Sequence, residues 1–177
     1  MKKINAIDLD NTLINFDSFR SYLFYFIKKC DLVLPFLILQ RKIKYISNSE
    51  FKRKVTLHCR RKENYNVFLK SFSDYILQNV NKDVILKLKL FSDEDTINVL
   101  VSASIEDYVS LIAKRLGWEF IATIINDDGI NHNYGKQKLV NILNQYSKDE
   151  YIFNYAISDS ESDLELLYLF NKYDLIK

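Results

Sequence analysis

The segment Asp8-Leu9-Asp10-Asn11-Thr12-Leu13 follows a short β-prone stretch, Ile4-Asn5-Ala6-Ile7, near the start of the chain. A buried strand is predicted over that stretch, and the polar residues after it end the strand. Because side chains two positions apart on a strand point the same way, Asp8 and Asp10 project toward one spot. Two carboxylates there suit a hard metal ion, or a division of nucleophile and acid/base roles. The alternative is that these polar residues serve only to form the turn that closes the strand.

The composition is that of an ordinary folded protein. The 177 residues are 48% hydrophobic and 27% charged, enough for one core or for a core with a small inserted domain. The net charge is +2, with Lys and Arg spread along the chain, so no nucleic-acid-binding surface is indicated. The two cysteines, Cys30 and Cys59, are far apart, and Met1 leads straight into Lys2-Lys3 without a signal-peptide apolar run. We therefore expect a reduced, cytoplasmic setting.

Apolar residues recur at helical spacing between the first strand and about residue 91, which predicts a helical region. Within it, residues 32–39 form an apolar run that is broken by Pro35 and flanked by basic residues. The run is too short to span a bilayer as a helix. It either belongs to the core of a small helical bundle, which we favour, or lies at a membrane interface.

From Ile97 onward the pattern alternates between strand and helix. Strands are predicted over residues 97–101, 120–123 and 151–157, and helices over 104–116, 139–146 and 164–170. Ser104 and Asp107 resemble a capping box that begins the first of these helices. This alternation predicts an α/β fold with a doubly wound parallel sheet, in which ligands bind beyond the carboxyl ends of the strands.

Polar side chains gather at those predicted strand ends and at one helix start. They are Asp8, Asp10, Ser102, Lys136 or Lys138, Asp159 and Asp163. Carboxylates suit Mg²⁺, whereas an ammonium and a hydroxyl group suit the oxygens of a phosphoryl group. With only three glycines, neither a phosphate-binding P-loop nor a dinucleotide fingerprint can be written on this chain.

These segments resemble the motifs of the haloacid dehalogenase superfamily of aspartate-nucleophile phosphatases. Residues 8–13 resemble its first motif, residues 99–104 its second and residues 158–163 its fourth. The phosphoserine phosphatase-like branch is the most similar, because its helical cap is inserted between the first two motifs and its second motif ends in Ser. The resemblance implies a Rossmann-like core over residues 1–15 and 92–177, and an inserted helical cap over residues 16–91.

The resemblance also implies a role for each motif residue. Asp8 would be the nucleophile that forms an aspartyl phosphate, and Asp10 the acid and base. Ser102 and the backbone amide of its neighbour Ala103 would bind the phosphoryl oxygens. Mg²⁺ would be held by the Asp8 carboxylate, the Asp10 backbone carbonyl group and Asp159, and by Asp163 directly or through water.

Two alignments place the third-motif lysine at Lys138 or at Lys136, and the first is slightly favoured. Asp17 lies where phosphoserine phosphatases carry an acidic residue that meets the substrate ammonium, or it caps the first cap helix. Lys54 stands where the family's carboxylate-binding Arg falls. Because Lys cannot form the bidentate fork of Arg, we expect a substrate without phosphoserine's carboxylate, such as an amino-alcohol or sugar phosphate.

The predicted function is therefore Mg²⁺-dependent hydrolysis of a small phosphate ester. One alternative is a lipid-phosphate phosphatase that contacts the membrane surface through the cap. Another is a phosphotransferase that uses the same aspartyl phosphate. A silent binding module is disfavoured because both Asp8 and Asp10 are present. The isolated His58 and His132 are expected to be structural or to lie on the surface.

Overall fold

The computed structural model describes residues 1–27 and 31–176, so Cys30 lies outside the described residues. Its strands are β1 (Lys2–Ile7), β2 (Thr96–Ile105), β3 (Glu119–Ile125), β4 (Ile130–Asn131), β5 (Tyr151–Ser158) and β6 (Lys172–Leu175). They form one sheet in the order β4-β3-β2-β1-β5-β6. Neighbouring strands are parallel except for β3 and β4. The predicted parallel sheet is confirmed.

Within the described residues, five α-helices lie between β1 and β2, as the predicted insertion requires. They are α1 (Ser18–Ile27), α2 (Val33–Lys42), α3 (Asn48–Arg60), α4 (Tyr65–Gln78) and α5 (Lys82–Leu90). Three further helices follow, α6 (Glu106–Leu116), α7 (Lys136–Gln145) and α8 (Leu164–Leu167). The doubly wound α/β fold with an inserted helical region is thereby confirmed. The limits of core and cap stay a prediction. Helix α4 of the predicted cap packs directly against α6 of the predicted core.

The central strands are buried on both faces, which explains their nearly continuous apolar sequences. On one face, Ile7 and Leu100 belong to an apolar cluster shared with α1, α4 and α6. On the other face, Ile4 and Val99 pack in a second cluster with α7 and α8. The two sets alternate along each strand because successive side chains point to opposite faces.

The capping box predicted at Ser104 is wrong. Strand β2 continues to Ile105, which precedes α6 and provides no side-chain cap. Asp107 instead accepts hydrogen bonds from the Arg60 guanidinium at 2.8 and 2.5 Å and another from the Tyr65 hydroxyl group. An ion pair between α3 and α6 therefore occupies the carboxylate that local capping would have used.

The apolar run at residues 32–39 enters α2, with Pro35 in the first turn, where a missing N–H interrupts no helical hydrogen bond. Leu34 and Leu37 are buried, as expected for a bundle, but Phe36 and Leu39 are exposed. None of the described helices combines the length and apolar character that crossing a bilayer requires.

Three asparagines form a row across β5, β1 and β2. Asn5 is fully buried, donates to Oδ1 of Asn98 at 3.0 Å and accepts from Nδ2 of Asn154 at 2.9 Å. Asn154 also donates to the carbonyl group of Phe91 at 2.7 Å. It is the extra residue at which the register between β1 and β5 shifts.

Candidate active site

Asp10 lies on a wide turn that follows β1, and Asp8 lies directly before that turn. The turn comprises Leu9–Leu13, and the amide group of Leu13 donates to the carbonyl group of Asp8 at 3.2 Å. Asn11 has a φ of 53°, a left-handed conformation that Asn adopts more readily than most residues. The backbone of Asp10 stays extended. The turn therefore presents both carboxylates at the carboxyl end of the sheet.

Lys138 joins carboxylates from two strand ends. Its Nζ donates to Oδ1 of Asp8 at 2.7 Å and to Oδ2 of Asp163 at 2.6 Å, and all three residues are buried. Burial disfavours the ammonium, but the two carboxylates more than offset this and raise the pKa of Lys138. Lys136, the other candidate, is exposed and lies 3.9 Å from Glu165. Of the two candidate lysines, Lys138 is therefore the one that contacts the strand-end carboxylates.

The ionisation of Asp8 is finely balanced. Burial raises the pKa of Asp8 to about 7, against the lowering effect of the Lys138 ammonium. The negative charges of Asp163 and Asp10 raise this pKa further. A carboxylate must be ionised to act as a nucleophile, so the site favours additional positive charge beside Asp8.

Asp163 offers an oxygen atom that could serve as a metal ligand. Its Oδ2 accepts from Lys138 and, at 2.7 Å, from the hydroxyl group of Ser158, a residue that stands where the family motif commonly has Gly. Its Oδ1 is buried and finds no hydrogen-bond partner among the residues described. A buried carboxylate oxygen without a partner, close to a second carboxylate, fits a divalent cation.

Asp159 lies at the same edge of the sheet. It is half-buried, and its Oδ1 accepts from the hydroxyl group of Thr12 at 3.4 Å. Within residues 1–27 and 31–176, no three side chains of His, Cys, Asp or Glu lie close enough to hold a metal ion by themselves. A cation here would therefore be held only in part by the carboxylates of Asp8, Asp159 and Asp163, with backbone oxygen and water completing its ligands. Such an all-oxygen set suits Mg²⁺.

A chain of buried hydroxyl groups holds Asp10. The amide of Ser18 donates to Oδ1 of Asp10 at 2.6 Å, and the hydroxyl of Ser104 donates to Oδ2 at 2.7 Å. The Oγ atom of Ser18 lies 2.9 Å from both Oγ of Ser104 and the hydroxyl oxygen of Tyr108. Because each hydroxyl has one hydrogen, an ionised Asp10 fixes the donor order as Tyr108, Ser18, Ser104. Burial raises the pKa of Asp10, and the Ser18 and Ser104 bonds oppose that rise.

Sequence reasoning missed this hydroxyl chain because it assigned Ser104 to a helix cap. A signal was nonetheless present. Ser104 lies two positions after Ser102, and on an extended strand such side chains point the same way. Extending β2 by three residues would have directed Ser104 toward the strand-end carboxylates.

A cavity of about 410 Å³ opens beside Asp10, between the sheet edge and the inserted helices. The sheet side contributes Asp10, Ala103, Ser104, His132 and Tyr134. The helical side consists of Asp17, which precedes α1, of Phe19, Arg20 and Leu23 on α1, and of Asn48, Phe51 and Lys52 on α3. The cavity therefore lies where the leaving group of a substrate bound at the strand ends would extend.

Lys52 is a cation on the lining of this cavity that sequence reasoning missed. Its Nζ donates to the carbonyl group of Ala103 at 2.8 Å, and it lies 5.1 Å from the centroid of the Phe19 ring and 3.5 Å from Nε2 of His132. Burial lowers the pKa of Lys52 to about 8. Burial and the adjacent Lys52 lower the pKa of His132 to about 4, so this imidazole is neutral at pH 7. No ion pair links Lys52 to a carboxylate in the described parts of the chain.

The remaining predicted residues are placed differently. Lys54 lies outside the cavity, 3.7 Å from Glu50 on its own helix. Asp17 lines the cavity, and its Oδ1 also accepts an amide hydrogen bond at 2.8 Å from the first turn of α1, which is the geometry of the alternative helix cap. Ser102 is buried and does not line this cavity. Its hydroxyl oxygen accepts a hydrogen bond from the amide of Ser104 at 3.0 Å.

Three solved structures share this fold along nearly the whole chain. A protein with unknown function from Bordetella pertussis Tohama I is 15% identical, with a TM-score of 0.75 over 98% of this chain and 89% of that one. A phosphoserine phosphohydrolase-like protein from Francisella tularensis subsp. tularensis SCHU S4 is 18% identical, with a TM-score of 0.62 over 98% and 86%. A phosphoserine phosphatase from T. onnurineus is 19% identical, with a TM-score of 0.54 over 98% and 82%.

At these identities the likeness shows the fold alone. A comparison with curated proteins gave no match. The family model for haloacid dehalogenase-like hydrolases matches residues 6–168, which include the turn after β1, the inserted helices and the Asp163 strand end. The chain therefore belongs to the haloacid dehalogenase-like hydrolase family, as the resemblance of its motifs implied.

Proposed function

We propose that this protein is a Mg²⁺-dependent phosphomonoesterase that acts on a small phosphate ester. The observation that carries the proposal is the buried triad in which Lys138 contacts Asp8 at 2.7 Å and Asp163 at 2.6 Å. This triad combines a nucleophile, a fixed positive charge and a potential metal ligand at one sheet edge.

Asp8 is the proposed nucleophile and Asp10 the proposed acid and base. A carboxylate oxygen of Asp8 attacks phosphorus while the bond from phosphorus to the ester oxygen breaks, and Asp10 gives its proton to the departing oxygen. Water then attacks the aspartyl phosphate, Asp10 takes the proton from that water, and phosphate leaves with Asp8 restored. Burial raises the pKa of Asp10, which favours the protonated form that the first step needs.

Mg²⁺, when bound, supplies the positive charge that allows an anionic nucleophile to approach an anionic ester. Asp8, Asp159, Asp163 and the backbone carbonyl group of Asp10 are the proposed ligands, and the unpartnered Oδ1 of Asp163 supports this assignment. Lys138 orients two of these carboxylates through its hydrogen bonds. The hydroxyl group of Ser102 and the amide group next to it are proposed to bind the phosphoryl oxygens.

The charged side chains on the cavity lining favour a small leaving group with polar or charged substituents. The expectation of a substrate without a carboxylate depended on Lys54, which lies outside the cavity, whereas Lys52 supplies a cation inside it. Asp17 lines the same cavity and offers a negative charge for an ammonium group. Phosphoserine and phosphoethanolamine are therefore both candidates, and Lys52 distinguishes between them because only phosphoserine carries a carboxylate.

The decisive experiment is Mg²⁺-dependent phosphate release from phosphoserine, phosphoethanolamine, a sugar phosphate and a lipid phosphate, with wild type and Asp8→Asn assayed in parallel. We expect release that requires the metal and disappears in the variant. A wild-type protein that binds Mg²⁺ but releases no phosphate from any ester would contradict hydrolysis. Transfer of phosphate to an added alcohol, without release to water, would establish the phosphotransferase alternative.

A further inference from the structure

Helix α2 carries an apolar surface on the side that faces solvent. Leu32, Phe36, Leu39 and Ile43 are exposed by 85, 58, 54 and 66%, and we call these four residues the docking stripe. Phe36 and Leu39 lie on α2, and Leu32 and Ile43 are the residues that flank it at either end. Their spacings of four, three and four residues align them along one side of the helix. Because the outward side of a surface helix is normally polar, such a stripe indicates a contact surface.

The chain around the docking stripe is basic. Residues 32–49 include Arg41, Lys42 and Lys44 but no Asp or Glu. Asp31, just before the stripe, is engaged elsewhere, because its Oδ2 lies 2.7 Å from both His58 Nε2 and Lys62 Nζ. Lys42 and Lys44 are both exposed. The surface around the stripe therefore combines apolar side chains with uncompensated positive charge.

We propose that the docking stripe binds the surface of an anionic lipid bilayer. The helix lies parallel to the bilayer, with the stripe inserted among the headgroups and Lys42 and Lys44 contacting anionic phosphates. A second copy of this chain suits the surface less well, because a two-fold contact through the stripe would bring the basic residues of both copies together.

The docking stripe is linked to the rim of the active-site cavity. Nε of Arg41, on the last turn of α2, donates to Oδ1 of Asn48 at 3.0 Å, and Asn48 lines the cavity. Docking would therefore hold this rim near the lipid headgroups. The inference does not depend on the phosphatase reaction, and its test requires no turnover.

The test is sedimentation of the full chain with phosphatidylcholine vesicles, with and without phosphatidylglycerol. Wild type is compared with the double variant Phe36→Glu/Leu39→Glu and with Leu90→Glu, which changes an equally large, 80% exposed side chain on α5. We expect wild type and Leu90→Glu to sediment with the anionic vesicles. The double variant should show about a tenfold lower vesicle-bound to free ratio. Circular dichroism checks that all three proteins are folded.

A charge variant tests the second half of the proposal. Lys42→Gln/Lys44→Gln should lower binding to anionic vesicles about tenfold while leaving the weak binding to neutral vesicles unchanged. Wild type that stays in the supernatant with both vesicle types would overturn the proposal, as would equal sedimentation of the stripe variant. A wild-type dimer that Phe36→Glu/Leu39→Glu dissociates, without vesicle binding, would assign the stripe to a second copy instead. Asp8→Asn should sediment like wild type.

Discussion

The two walls of the active-site cleft are built in different ways. On the sheet wall, the strand-end carboxylates of Asp8 and Asp163 have the buried Lys138 ammonium within 2.7 Å. On the helical wall, Lys52 meets a carbonyl group, an aromatic ring and a neutral imidazole. We infer that the charged groups of the sheet wall are held in place by one another for the reaction, whereas the helical wall keeps the Lys52 charge available for a substrate.

The strongest test of the sheet wall compares Lys138→Met with Lys136→Met. Loss of Lys138 removes the buried ammonium that contacts both Asp8 and Asp163, so we expect phosphate release to fall about 10²- to 10³-fold. Lys136 is exposed, and its removal should change the rate by less than about twofold. Initial rates at saturating Mg²⁺ are the measurement, with thermal unfolding to confirm folding. Equal rates in the two variants would show that the buried triad has no role in the reaction.

The next largest effect is expected from Ser104→Ala. Removing this hydroxyl group deprives Oδ2 of Asp10 of its donor at 2.7 Å, so kcat should fall about tenfold or more while KM changes little. Ser104→Thr keeps the hydroxyl group and should restore most of the rate, and Tyr108→Phe, at the far end of the chain, should have a smaller effect. A fall in kcat that Thr does not rescue would point to packing rather than to the orientation of Asp10.

The helical wall is tested by Lys52→Met against Lys54→Met. If Lys52 binds the carboxylate of a substrate, its loss should raise KM for phosphoserine about tenfold and leave KM for phosphoethanolamine nearly unchanged. Lys54 lies outside the cavity and should affect neither value. Steady-state kinetics on both substrates decide the matter. An equal rise in KM for both would mean that Lys52 shapes the cavity without reading a carboxylate.

The last prediction concerns stability rather than activity, through His132 and pH. Its pKa is about 4 in the folded protein, below the ordinary value of 6.5, so between these pH values the unfolded chain binds a proton that the folded chain does not. The free energy of unfolding should therefore fall as the pH drops from 6.5 toward 4. Urea unfolding of wild type and His132→Gln at about pH 7 and about pH 5 measures this. The variant should lose less stability than wild type, and equal losses would contradict it.

The same contrast explains which residues could be predicted from the sequence. Asp8 and Asp163 could be placed together because parallel strands bring their carboxyl ends to one edge whatever else the chain does. Lys136 and Lys138 stayed alternatives, because the sequence alone does not show which of two lysines at a helix start faces that edge. Lys52 was missed because residues two apart on a helix are related by a rotation of about 200°, so the alignment that selected Lys54 selected nearly the opposite face of α3. Asp107 was misassigned because its partner Arg60 lies on another helix. Local patterns identify strand ends, but they do not report how helices pack.

The row of three asparagines favours a single register between β5, β1 and β2. Apolar strands could slide along one another by two residues with modest loss of contact, since the same face would stay buried. Such a slide would separate Asn5 from Asn98 and Asn154, and an unpaired buried amide costs roughly 1–3 kcal/mol. Because Asn154 also holds the carbonyl group of Phe91, the end of the helical insertion is anchored to the same row.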